Sequence, residues 1–76
     1  PFNPSTTIRY SIPAQARVTL RVVNMLGQVV ETLVDADLGA GAYVVQFDAS
    51  RLATGVYFYQ LRADDFVSVK KMLLLK

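Results

Sequence analysis

The chain has 76 residues, 53% of them hydrophobic, a formal net charge of +2, and neither cysteine nor histidine. Disulfides, thiolate metal sites and the usual histidine zinc ligands are thereby excluded, so apolar packing must supply the stability. A domain this small buries only about 60% of the surface its unfolded chain exposes, so part of the apolar content stays at the surface for a neighbour or parent protein to cover.

Side chains alternate with period two along most of the chain, the pattern of half-buried strands. Residues 1–6 read as an extended lead-in, its prolines fixing φ and Phe2 pinning it to the core. Over 7–12, Ile8, Tyr10 and Ile12 share one face and Thr7, Arg9 and Ser11 the other; Pro13, with no N–H for a ladder, ends the strand. Over 17–22, Val18, Leu20 and Val22 point inward. Gly27 supplies a turn at 26–28, because it takes positive φ at no steric cost. Residues 29–34 form a third strand of poorer alternation, an edge or a crossover between sheets, and 35–41 is a loop by composition. The fourth strand, 43–47, directs Tyr43, Val45 and Phe47 to one side, and 48–54 is a longer connection. Gly55 opens a strand over 56–62, Asp64 and Asp65 make a tight turn, and Phe66 onward returns as a hairpin.

The chain finishes on Lys70-Lys71-Met72-Leu73-Leu74-Leu75-Lys76, an apolar run between lysines. Chain ends are ordinarily frayed and polar, so this one must be packed, bound or read. It falls far short of the ~20 apolar residues that cross a membrane. Too short to start a helix, it continues the β-rich stretch before it. With no helical periodicity elsewhere, the pattern predicts one domain: an all-β, immunoglobulin-like antiparallel sandwich of six to seven strands, lacking the Cys-Trp-Cys signature of antibody domains.

Chemistry is sparse. Without histidine or cysteine the usual nucleophile and base pairs are missing, and Asp64 and Asp65 are adjacent turn residues whose side chains diverge, so no enzyme is expected. Asp35, Asp37 and Asp48 offer oxygen ligands to calcium, but the rest of an EF-hand loop is absent and they read as solvated loop acids. Tyr57 and Tyr59 have the spacing of a nucleic-acid stacking platform; with Phe58 on the opposite face, packing in a central strand explains them better. The arginines are scattered and only Lys70 and Lys71 adjoin, which is no basic stripe for nucleic acid. Proline in Asn3-Pro4-Ser5 rules out a glycosylation sequon.

Four stretches, taken together and in order, resemble a known family. Pro1-Phe2-Asn3-Pro4-Ser5-Thr6-Thr7-Ile8, Leu26-Gly27-Gln28-Val29-Val30, Gly55-Val56-Tyr57-Phe58-Tyr59 and the final Lys70 to Lys76 run are similar to the type A C-terminal sorting domain of the type IX secretion system. The resemblance implies an immunoglobulin-like sandwich at the end of a larger exported protein, secreted or held at the cell surface. It implies recognition by the outer-membrane translocon and removal by a sortase-like peptidase, with no cofactor. Gly55, Tyr57, Lys70, Lys71, Met72, Leu73, Leu74, Leu75 and Lys76 would then carry recognition. A similar module in flagellar hook-capping proteins suggests the alternative, a structural piece that packs on a neighbour or self-assembles through its edge strands.

Overall fold

In the computed structural model, which describes residues 5–75, the described residues form six strands and no helix. These are β1 (Ser5–Ile12), β2 (Ala16–Val23), β3 (Val29–Leu38), β4 (Gly41–Asp48), β5 (Gly55–Ala63) and β6 (Phe66–Leu74). β1 and β4 make a two-stranded sheet, and the others a four-stranded sheet in the order β3-β2-β5-β6, with every pairing antiparallel. The β2–β3 and β5–β6 connections are hairpins, while the remaining three carry the chain between sheets.

The inner faces are those the alternation predicts. Ile8 and Ile12 of β1 and Phe47 of β4 pack against Val18, Leu20 and Val22 of β2, Tyr57, Leu61 and Ala63 of β5 and Leu74 of β6, with Ala49 completing the cluster. Among the described residues no polar or charged side chain is buried. Full burial of each large apolar side chain contributes roughly 1.5–3 kcal/mol before the cost of ordering the chain. Across the β1–β4 ladder Tyr10 and Tyr43 stack with ring centroids 5.5 Å apart, and the Tyr43 hydroxyl donates to the Gly39 carbonyl at 2.6 Å. Burial, with Tyr43 adding to it, raises the Tyr10 hydroxyl above its ordinary pKa.

Two expectations are corrected. The third strand does not stop at Val34: it runs to Leu38, and Asp35 and Asp37 belong to it rather than to a loop. Both acids sit on the outer face, flanking Arg17 at 2.7 and 3.7 Å. A strand face turned to water has the composition of a loop, hence the misreading. β3 is an edge strand and not a crossover, and its weak alternation has a definite cause. Leu20 pairs with Val34 but Arg21 with Thr32, and Val22 pairs with Glu31 but Val23 with Val29, so Leu33 and Val30 are extra residues in two bulges. Each bulge resets the phase of the alternation. The first strand begins at Ser5, earlier than the 7–12 span predicted for it. The expected anchoring by Phe2 lies outside the described residues.

Two turns follow their residues. Gly27 has φ +81°, and the loop around it is closed by Asn24, whose Oδ1 accepts from the N–H groups of Leu26 at 2.9 Å and Gln28 at 3.0 Å. Asp64 takes φ +54° in the two-residue β5–β6 turn, a left-handed conformation that Asp tolerates better than most residues.

Candidate functional site

β6 has β5 as its single ladder partner, leaving its other edge without a strand among the described residues. The β5–β6 register sets Gly55 opposite Leu74, Val56 opposite Leu73, Tyr57 opposite Met72, Phe58 opposite Lys71 and Tyr59 opposite Lys70. Alternation then divides the sequence-predicted residues into two groups. Leu74, 8% exposed, and half-buried Met72 turn into the sandwich, whereas Leu73 at 62% and Leu75 at 63% face water. Lys70 and Lys71 are both exposed, and no ion pair holds either among the described residues.

Tyr57 belongs to the inner group. Its ring is buried in the core, and its hydroxyl donates to the Ala53 carbonyl at 2.8 Å, tying the β4–β5 connection to the start of β5. Gly55 stands beside it: a Cβ there would meet the Tyr57 ring at 3.9 Å, ordinary contact. These two residues therefore shape the hairpin from within, and the outward side chains lie on β6 itself. Lys76 lies outside the described residues.

Sequence reasoning missed Val67 and Val69, exposed by about half on the same outer face as Leu73. In the sequence they stand as generic strand residues of the hairpin. Their alternation with Phe66 and Ser68 was visible, but apolar residues on both faces gave no sign of which face was covered. Val23, 4% exposed, is buried on that outer face opposite Phe58 and stands apart from the core cluster. Met25 and Leu26, 73% and 83% exposed, project from the loop that Asn24 closes.

Between β6 and β1, the sandwich is open. A cleft of about 490 Å³ has Ser5–Ile8 along one lip, Lys71–Leu75 along the other, and Phe47, Ala49 and Tyr59 between. A second depression of about 220 Å³ is lined by Arg9 and Ser11 of β1 and by Phe66, Ser68 and Lys70 of β6, over Leu20 and Leu61. The lining of both combines apolar, hydroxyl and cationic side chains, with no carboxylate. No group of three or more acidic residues placed to hold a metal ion occurs among the described residues. The arrangement suits contact through backbone, apolar side chains and lysines.

The family model described as Secretion system C-terminal sorting domain matches residues 1–75. Comparisons with curated proteins and with solved structures give no match. The family match spans both sheets, the cleft and the whole of β6. The chain belongs to the secretion system C-terminal sorting domains, the type IX tails that mark exported proteins for secretion or attachment at the cell surface.

Proposed function

We propose that the domain is a non-catalytic address whose reader, the outer-membrane translocon, contacts the open edge of β6, its outward side chains Lys71, Leu73 and Leu75, and Lys70 at the mouth of the smaller depression. Gly55, Tyr57, Met72 and Leu74 act in this reading by holding β6 in register. The sortase-like peptidase acts after export, and the sandwich itself performs no chemistry.

The observation that carries this reading is the apolar exposure of the last strand. Leu73 is 62% exposed beside Leu74 at 8%, and Phe66, Val67, Val69 and Leu75 are also large apolar groups turned to water. Such surface on a small domain marks a contact site, and an unpaired strand edge offers a row of backbone donors and acceptors to a partner.

The test is a reporter cargo fused ahead of the domain in a bacterium with this secretion system. Leu73→Ser with Leu75→Ser should leave the domain folded and trap the cargo in the periplasm. Removal of residues 72–76 should do the same. Normal export of the folded double variant would refute the assignment of these side chains, and export of the truncation would refute β6 as the address.

A further inference from the structure

The two edges of the four-stranded sheet carry opposite charge. β3 holds Glu31, Asp35 and Asp37 and no lysine or arginine. β6 holds Lys70 and Lys71 and no carboxylate. Moreover, one row of the sheet runs Glu31, Val22, Tyr59, Lys70, so it begins on an acid and ends on a base.

We propose that the chain assembles head to tail, the β6 edge of one copy taking the β3 edge of a second. Strand direction permits this without rotating either copy over. The order β3-β2-β5-β6 alternates at every step, so a second copy shifted sideways in the same orientation brings its β3 antiparallel to β6. Repeating the rows sets Lys70 opposite Glu31 of the second copy. Ser68 and Phe66 then face Val34 and Ala36, in the segment of β3 beyond its bulges.

The residues these contacts need are accessible. Lys70 is exposed, Phe66 is 43% exposed, and the Glu31 carboxylate is held by Arg51 at a loose 3.8 Å, with that arginine's side chain 89% exposed. Charge also rejects the symmetric alternatives. Pairing β6 with β6 opposes lysines, pairing β3 with β3 opposes acids, and like charges across strands are unfavourable. A contact between two different edges closes into a ring only where its rotation returns to the start; here each copy is shifted onward along the sheet, so the contact grows into a filament. Four strands per copy at the usual spacing give a rise of about 19 Å per subunit, and accumulated sheet twist rotates each by about 90°. The contact shares the open β6 edge with the sorting surface, but its other half does not: Glu31 lies on the far edge of the sheet from β6.

Sedimentation of the 76-residue chain at low salt should show mass rising continuously with concentration, and electron microscopy should show filaments with that rise. Lys70→Glu and Glu31→Lys should each weaken association by about tenfold or more. Mixing these two variants should restore it, because each supplies the edge the other lacks, and restoration also shows that both are folded. Glu31→Lys should leave export of the reporter cargo unchanged, separating this contact from the sorting address. A monomer at all concentrations, a dimer that does not grow, or association indifferent to either reversal would overturn the proposal.

Discussion

Leu73 and Leu74 are neighbours with the same side chain on opposite faces of β6, so replacing each in turn by alanine separates packing from recognition. Leu74 is 8% exposed and belongs to the core cluster, at the wall of the cleft beside Ile8 and Phe47. Buried Leu→Ala changes cost roughly 2–5 kcal/mol, the upper values arising where a closed cavity is left. Here the vacated volume opens into the cleft, which holds the expected loss to about 2–3 kcal/mol. Against a total stability of about 4–11 kcal/mol for this length, that is a large fraction. Thermal melting followed by circular dichroism should fall by roughly 10–20 °C for Leu74→Ala. The urea midpoint should drop by about 2–3 M, taking a slope near 1 kcal/mol/M. Leu73→Ala, removing a side chain 62% exposed, should stay within about 0.5 kcal/mol of the parent. Equal losses at the two positions, or a loss below about 0.5 kcal/mol at Leu74, would refute the facing of β6 on which the sorting surface depends.

Gly27→Ala should destabilise by about 1 kcal/mol; an added Cβ meets nothing within 4 Å, so the loss comes from φ +81° alone, and a neutral result in urea titration would contradict that conformation. Asn24→Ala strips the β2–β3 loop of the acceptor for two backbone N–H groups and should cost about 1–2 kcal/mol. Amide exchange at Leu26 and Gln28 should rise with it, and unchanged protection would count against the loop geometry. The Tyr10 hydroxyl titrates higher in the folded protein than its ordinary value of 10.0. The unfolded chain therefore loses that proton first as pH rises, and stability is full below pH 10 and declines from there up to the folded pKa. Tyr10→Phe should flatten this alkaline decline in urea midpoints measured across that range, and an identical slope in the variant would remove burial of Tyr10 as its source.

Much of this architecture is legible before folding. Where one face of a strand meets the core and the other meets water, as at Ile8, Tyr10 and Ile12 or Val18, Leu20 and Val22, period two states the answer directly. It fails in β3, because a bulge shifts the phase without leaving a marker residue, and because Asp35 and Asp37 on an outward face look like any polar loop. In the candidate site, the apolar run of β6 between its lysines is visible in the sequence. The division of that run into a buried Leu74 and an exposed Leu73 is not, since three consecutive leucines carry no alternation to read. That assignment needs the register with β5, which Asp64 and Asp65 set by turning the chain in two residues.

Strand order also fixes how costly each pairing is to form. The β5–β6 ladder closes across residues 64–65, whereas Ile12 must find Gly41 across an intervening stretch that holds two other strands. Loop entropy grows with the length enclosed, and hairpins of this kind close in about 1–10 μs. The β2–β5 pairing encloses still more chain, since Val23 must find Phe58, so these two long-range ladders are the slow steps and the β5–β6 hairpin needs neither. A chain emerging in extended form acquires its β5–β6 hairpin, like its β2–β3 hairpin, before its sandwich is complete, which puts β6 among the first parts of this fold that a waiting receptor could find.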